Sequence, residues 1–148
     1  MKSFLFACLF LFSGHVLADF GLIQKESPHS PAKTLNKLET VLKEKGIRIF
    51  ARINHQANAE AAGLTLRPTE LLIFGNPRLG TPIINSNQTA GIDLPMKVLA
   101  WQDQEGQTWL TYNDPEYIAE RHFISNLEDV VTSMREVMDK LTDMAIAP

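Results

Sequence analysis

The sequence predicts an α+β fold in which an antiparallel sheet carries helices packed on one face, in the order strand, helix, four strands, helix. Two observations indicate the sheet: residues 47–54 alternate between two faces, and residues 96–113 contain two strand-like runs around a turn with a glycine. A third indicates the last helix, because apolar residues recur at helical spacing across residues 127–141. This order is not that of a doubly wound parallel fold.

Local signals predict the first strand and the first helix. Residues 20–26 alternate loosely, as a strand does. Ser30 is placed to cap the following helix, and Pro31 fits its first turn, where a missing N–H costs nothing. Gly46 suits the left-handed position at the helix end. The predicted buried face of the helix consists of Leu35, Leu38, Val41 and Leu42.

Four strands are predicted after this helix, at residues 47–54, 71–74, 96–103 and 108–113. The run at 71–74 is continuously apolar and indicates a buried central strand. Gly106 lies in the turn that joins the last two strands into a hairpin. Alanines at residues 57–62 indicate a short helical turn between the first two.

The end of the chain is predicted to be helical. Asp114 and Pro115 form another pair of cap and first-turn residues, which predicts a short helix through about His122. Ser125 and Glu128 have the spacing of a capping box that begins a long helix. Its apolar stripe contains Leu127, Val130, Val131, Met134, Val137, Met138 and Leu141. A stripe with methionines is typical of a core helix, and less often of a groove for a partner.

The first 18 residues have the three parts of a signal peptide. Lys2 supplies the positive end, residues 4–12 are apolar, and Val16 and Ala18 suit cleavage before Asp19. The apolar run is too short to span a bilayer. We therefore expect an exported protein, periplasmic or secreted, with a single domain at residues 19–148 and no stable membrane span after cleavage.

Charge and cysteine content exclude several classes of function. Loss of Lys2 takes Lys+Arg from 14 to 13 against 17 Asp+Glu, so the formal charge changes from −3 to −4, which disfavours nucleic-acid binding. Cys8 is the single cysteine and would be removed with the signal peptide. The mature chain would then have no disulfide, no thiolate nucleophile and no cysteine ligand for a metal.

A set of short motifs runs through the domain in a fixed order. They are Gly75-Asn76-Pro77, Gly80-Thr81-Pro82, Asp93-Leu94-Pro95-x-Lys97, Trp101-x-Asp103 and Tyr112-x-Asp114-Pro115, with Arg52-Ile53-Asn54-His55 before them and Arg121-His122 after them. Together they resemble the bacterial and archaeal family named domain of unknown function 302, over residues 21–144. The family more often has Asp at the position of Asn54. The resemblance implies a fold of the TATA-binding-protein class, with strand, helix, four strands and helix, and it implies no established reaction.

The glycine-rich segment at residues 75–81 has a superficial likeness to a phosphate-binding loop. Thr81 stands where such a loop has its lysine, and Pro77 and Pro82 each remove a backbone donor, so nucleotide binding is disfavoured. We expect instead a rigid loop in which Thr81 caps a short helix begun by Pro82.

Seven side chains are the candidates for a ligand site walled by residues 75–95: His55, Asn76, Thr81, Asp93, Lys97, Tyr112 and His122. Asn76 and Thr81 would donate hydrogen bonds, and Lys97 would counter an anion. Asp93 has three interpretations, as a general base, a ligand or a turn carboxylate. Trp101 could likewise line a pocket or belong to the core.

The leading hypothesis is an envelope protein that binds a small anionic or planar ligand between its sheet and the segment at residues 75–97. One alternative is a metal-dependent enzyme in which His55, Asp93 and His122 form an N,N,O ligand set, although structural histidines are the commoner case. Another is a structural or interaction domain that works as a homodimer, because an open sheet has edges to cover. The sequence identifies no cofactor and no catalytic residue.

Overall fold

Alternating side chains form five strands within residues 21–148, which are the residues that the computed structural model describes. The strands β1 to β5 are Leu22–Ser27, Arg48–Asn54, Thr69–Gly75, Met96–Gln102 and Thr108–Asn113. Their order in the sheet is β1-β5-β4-β3-β2, and every pairing is antiparallel. The two strands that flank the first helix in sequence therefore form the two edges of the sheet.

Five helices complete the described part of the chain. The helices α1 to α5 are Pro31–Glu44, His55–Ala61, Pro77–Ser86, Pro115–Arg121 and Glu128–Ile146, and a 3₁₀ turn spans Gln88–Ile92. The long helices α1 and α5 pack against each other. The predicted α+β fold, with an antiparallel sheet and the strand, helix, strands, helix order, is confirmed.

The core lies between the sheet and these two helices. Leu38 of α1 and Leu141 of α5 are fully buried, as are Leu72, Val98 and Leu110 on the three central strands. Burying a side chain of this size contributes about 2 kcal/mol. The side of the central strands that faces α1 and α5 is therefore buried. Apolar contacts between these residues hold the sheet and the two helices together.

Helix α3 differs from the sequence prediction. It begins at Pro77, and both Thr81 and Pro82 lie inside it. The Asn76 side chain caps the helix by accepting the backbone N–H of Arg78 at 3.0 Å. Pro77 then occupies the first turn of α3, where a residue without a backbone N–H is tolerated. The segment is a helix from its start, and the prediction of Thr81 as its cap was wrong.

Helix α5 also begins differently. Its N-cap is Leu127, which makes no side-chain cap hydrogen bond, so the predicted capping box of Ser125 and Glu128 does not form. Glu128 and Asp129 lie in the first turn, where their negative charges interact favourably with the positive end of the helix dipole. The predicted signal peptide at residues 1–18 lies outside the described residues. None of the helices in residues 21–148 has the length and apolarity needed to cross a bilayer.

Candidate functional site

An apolar cavity of about 210 Å³ lies between α3, α5 and the ends of β3 and β4. Its walls include Phe74, Leu79, Ile84, Met96, Met134 and Met138. Phe50 and Val137 also line it, and they are 44% and 36% exposed, which leaves the cavity open to solvent at that side. Among the residues described, no Asp, Glu, Lys or Arg lines it.

Close backbone packing at the end of β3 shapes one wall of this cavity. A Cβ atom on Gly75 would lie 3.2 Å from Pro95 Cβ and 3.8 Å from Phe50 Cε2. Because glycine has no side chain there, the two neighbouring segments approach directly. Helix α3 starts two residues later and stands over the same end of the sheet.

Two of the predicted site residues, Asn76 and Thr81, line the cavity. Both are exposed. The side-chain oxygen of Asn76 is used as the cap of α3, so its amide nitrogen is the group that can donate to a ligand. The Thr81 hydroxyl can both donate and accept. The cavity is therefore an apolar space with two neutral polar groups.

Asp93 and His122 are also brought together, away from the cavity lining. His122 Nε2 lies 2.7 Å from Asp93 Oδ2, and both residues are buried, at 6% and 8% exposure. Arg121 Nη1 lies 3.5 Å from Asp93 Oδ1 from a half-exposed position. Thr89 Oγ1 lies 2.8 Å from the other ring nitrogen, His122 Nδ1.

The hydrogen bonds around Asn87 fix the protons of this cluster. Asn87 Oδ1 accepts the Thr89 N–H at 3.0 Å, and Asn87 Nδ2 donates to the His122 carbonyl at 2.9 Å, so the amide has one orientation. Thr89 Oγ1 lies 2.8 Å from Asn87 Oδ1, which can only accept, so the hydroxyl proton points there. Each ring nitrogen of His122 therefore has a hydrogen-bond partner, Thr89 Oγ1 at Nδ1 and Asp93 Oδ2 at Nε2.

The other three predicted residues occupy different places. Lys97 Nζ donates to the Asp93 backbone carbonyl at 2.8 Å and does not line the cavity. Tyr112 is buried on β5, and burial raises the pKa of its phenol. His55 begins α2, next to the end of β2 that pairs with Glu70.

The predicted metal ligands are not gathered into one set. Asp93 precedes β4 at the end of the sheet where Met96 pairs with Phe74, whereas His55 is at the opposite end of β3. Across residues 21–148, no group of three or more His, Cys, Asp or Glu side chains could hold a metal ion. His122 and Asp93 therefore form a pair without the third predicted ligand.

Sequence reasoning missed most of the cavity lining. Met134 and Met138 were assigned to the core stripe of α5, and they do pack there, but they also face the cavity. Leu79 was placed in a loop and Ile84 in a short helix begun by Pro82, so their spacing along one helix was not considered. The methionines were the available signal, because flexible side chains are common on surfaces that accommodate ligands.

The family assignment follows from comparison with known proteins. The family described as "Domain of unknown function DUF302" matches residues 23–141. The chain belongs to the DUF302 family. A crystal structure of an uncharacterized conserved DUF302 protein from Bacillus stearothermophilus is similar, with a TM-score of 0.75 and 19% identity over 84% of this chain and 98% of that chain. At this identity the likeness concerns the fold alone.

DUF302 sequence also occurs inside longer relatives. The protein named fluoride-specific ion channel FluC 1 from Brucella suis is 46% identical over 114 residues, which are 77% of this chain and 45% of that protein. The protein of the same name from Brucella abortus is 46% identical, with 42% of its length covered. This chain therefore spans less than half the length of these curated relatives.

Proposed function

We propose that this DUF302 domain is an exported, small-ligand-binding domain of the cell envelope, and that its ligand is uncharged and apolar. The observation that carries the proposal is the cavity between α3 and α5, which is open to solvent and lined by apolar side chains. A cavity of about 150 Å³ lined by aliphatic and aromatic residues can hold benzene. The space of about 210 Å³ is thus suited to one ring or a short aliphatic chain.

The lining favours a neutral ligand over the anionic one expected from the sequence. An anion would lose its hydration in a space with no opposing charge, which is unfavourable. Asn76 and Thr81 can bind a hydroxyl or carbonyl group of a neutral ligand. Three methionines, Met96, Met134 and Met138, can adjust to its shape.

The two other activities have less support. A metal-dependent enzyme would need His55 beside Asp93 and His122, and the length of β3 separates them. The name fluoride-specific ion channel belongs to proteins of which this chain covers 45% or less, and no charged side chain among the described residues lines the cavity to attract an anion. Channel activity is therefore left out of the proposal.

Titration with matched neutral and anionic probes tests the ligand class. We expect 1-hexanol and benzyl alcohol to bind, and hexanoate and benzoate to bind at least about tenfold more weakly, because only the anions must be desolvated. Methionine methyl NMR is the readout, since Met96, Met134 and Met138 line the cavity and Met144, which is 43% exposed, does not. Shifts at all four methionines, or at none, would contradict the proposal.

A pair of variants on one helix provides the control. Val137→Trp fills the open side of the cavity and should weaken 1-hexanol binding at least about tenfold. Met144→Trp adds the same ring at an exposed position that does not line the cavity and should leave binding unchanged. Equal loss in both variants would show that 1-hexanol binds elsewhere.

Export has its own test. The motif before Asp19 and the apolar run at residues 4–12 support cleavage after Ala18. We expect the intact mass of protein recovered from the envelope fraction to match a chain that begins at Asp19. A mass that retains Met1 would contradict cleavage, and recovery from the cytoplasm alone would contradict export.

We also propose that the domain pairs with a second copy. Strands β1 and β2 form the two edges of the sheet, and an open sheet leaves surface that natural proteins usually cover. Sedimentation of the purified protein at tens of micromolar, about the range in which modest interfaces populate, should show a dimer. A monomer throughout that range would contradict pairing.

A further inference from the structure

The face of the sheet turned away from α1 and α5 carries an apolar band across its central strands, with polar residues such as Gln24, Lys97 and Asn113 around it. Strand register places Ile53, Leu71 and Leu99 in one row across β2, β3 and β4 on this face. The next row contains Trp101 directly opposite Trp109. We call this surface the outward face. In an antiparallel sheet with one free face, the outward positions are normally polar.

The outward face is less covered than the inward one. Ile53, Leu71, Leu99 and both tryptophans are half-buried, whereas the inward residues on the same central strands are fully buried. A contiguous apolar surface of this kind marks an interaction site on a monomer. The apolar band on the outward face is therefore a candidate interaction surface.

Its aromatic residues are already fixed within the sheet. Trp101 Nε1 donates to Thr111 Oγ1 at 2.9 Å, and Trp109 Nε1 donates to Asp103 Oδ2 at 2.7 Å. Both indole N–H groups have partners without any second molecule, so the rings can be covered by an apolar surface with no unsatisfied donor. Rigid aromatic side chains in this state are typical anchors of protein interfaces.

The size of the outward face matches a modest dimer. Five strands about 4.8 Å apart and about six residues long give a face of about 500 Å², so two faces bury about 1,000 Å². That area is about the minimum for a specific interface. A second copy supplies an equally flat apolar face, and two such sheets pack about 10 Å apart as in a sandwich.

Two charged residues at the edges of the outward face are compatible with a two-fold axis, although the Arg48 guanidinium also stacks 4.9 Å from the centroid of the Phe50 ring. Glu26 lies on edge strand β1 at the level of Trp109, and Arg48 lies on edge strand β2 at the level of Gly75. They occupy diagonally opposite corners. A two-fold axis that lies between the two faces, along the other diagonal, brings Glu26 of each copy next to Arg48 of the other copy. The strands of the two copies then cross at about 90°, which is one of the two standard ways in which sheets pack.

We infer that the outward face is the self-association surface, in which Trp101 and Trp109 pack against the second copy and Glu26 opposes its Arg48. This inference rests on the proposed pairing and specifies where it occurs. The net negative charge of the chain disfavours nucleic acid as the occupant.

Tryptophan fluorescence reports on this surface alone, because the chain has two tryptophans and both lie on it. Dilution of the purified protein through the dimer dissociation range should shift the emission maximum to longer wavelength, in step with the sedimentation change. If the dimer dissociates without any shift, pairing stands but occurs at an edge strand, and the outward-face inference is overturned.

A charge exchange tests the geometry. Glu26→Arg should raise the dimer dissociation constant about tenfold, and adding Arg48→Glu should restore it to within about threefold. Glu44→Arg, at the exposed end of α1, makes the same change of charge away from the face and should have no effect. Failure of the double variant to restore pairing overturns the proposed arrangement.

Two other occupants give different outcomes, and each overturns the inference. If residues 1–20 cover the face, emission is concentration-independent and shifts only when the chain begins at Asp19. If the face binds an unrelated protein, the purified chain is a monomer at all concentrations, and the proposed pairing fails with it.

Discussion

Asp93 shows how a single carboxylate can be misjudged from sequence. Its position before Leu94-Pro95 is compatible with a base, a ligand or a turn residue, and the sequence suggested His122 as its neighbour only as part of a metal site that also contained His55. The partner lies 29 positions further along the chain and meets Asp93 through the ends of two short helical segments. Such a contact depends on tertiary packing, which residue spacing does not encode. Thr89 and Asn87 were overlooked for the same reason.

We expect Asp93→Asn to lower the free energy of unfolding by about 1–3 kcal/mol, because it removes the carboxylate oxygen that pairs with the buried His122 ring. Arg121→Gln removes the half-exposed partner of the same carboxylate and should lose at most about 1 kcal/mol. Urea denaturation of the two variants measures the difference. A loss below about 1 kcal/mol for Asp93→Asn would show that the contact between Asp93 and His122 does not stabilise the fold. His55→Ala should remain within about 1 kcal/mol.

At the scale of elements, Arg52 connects three of them. It donates four hydrogen bonds, to Glu70 at 2.8 Å, to Asn36 at 2.6 Å, to Glu39 at 3.1 Å and to the Ala32 carbonyl at 3.2 Å, and its Nη2 also lies 2.7 Å from Glu70 Oε2. Strands β2 and β3 are thereby attached to α1. The sequence places Arg52 in a family motif but does not show that the motif is architectural.

Arg52→Met should lower the free energy of unfolding by about 2–3 kcal/mol, because Glu70 is 9% exposed and would be left without a counter-charge. Adding Glu70→Gln should recover about 1 kcal/mol, since the unpaired charge is removed. Arg78→Met, at an exposed position, should change stability by less than about 0.5 kcal/mol. Additive losses in the double variant would show that the Arg52 and Glu70 side chains are not coupled.

Lys25 attaches edge strand β1 to α5. Its Nζ lies 2.6 Å from a carboxylate oxygen of Asp139 and 2.6 Å from one of Asp143. Burial lowers the pKa of Lys25, but the two hydrogen bonds and the nearby negative charges outweigh it and leave the pKa above the ordinary 10.5. A pKa raised in the folded state adds stability that is complete below the unfolded value and is lost as pH rises through the folded one.

Lys25→Met should therefore lose about 1 kcal/mol at neutral pH, a modest value because both aspartates are about 60% exposed. The gap between wild type and variant should stay constant from about pH 7 to about pH 9 and close above the raised pKa. Tyr112, whose phenol pKa is also raised by burial, interacts with the charge of Lys25, so its ionisation does not cancel in the difference and the Lys25 contacts are compared below about pH 9. Lys140→Met, which removes an exposed pair with Glu136, is the control and should show almost no gap. A gap no larger than that of Lys140→Met would contradict this role for Lys25.

Elements with strong local signals were predictable, and those set by packing were not. Ser30 caps α1 as expected, and Gly106 has the positive φ of 85° that its hairpin turn requires. Helix α3 was missed because Pro82 was interpreted as a first-turn residue, although Asn76 and Pro77 supply the same signal five positions earlier. A proline inside a helix contradicts local propensity. Pro82 nevertheless lies inside α3, and the same helix buries Ile83 in the core.

At the scale of the whole molecule, one sheet separates the two proposed binding surfaces. The cavity lies on the side of the sheet that faces α5, and Phe74 and Met96 point to this side. Their neighbours Ile73 and Lys97 point to the outward face, because successive residues of a strand alternate between the two faces. The order of strands was predictable from the pattern of residues. The location of the cavity was not, because it depends on how far α3 and α5 stand apart at the end of the sheet.

This separation predicts that ligand binding and pairing are independent. Two sites are coupled only if each ligand interacts differently with two states of the protein. The cavity does not reach the row of Trp101 and Trp109, and the two surfaces approach each other at Phe50, which lines the cavity and lies under Arg48. We expect saturating 1-hexanol to change the dimer dissociation constant by less than about twofold, measured from tryptophan emission on dilution. Val137→Trp, which should not bind 1-hexanol, controls for effects of the alcohol as a solvent. A tenfold change in the wild type alone would show that β3 and β4 transmit a rearrangement through the sheet. Thermodynamic reciprocity would then require the dimer and the monomer to differ in their affinity for 1-hexanol by a corresponding factor.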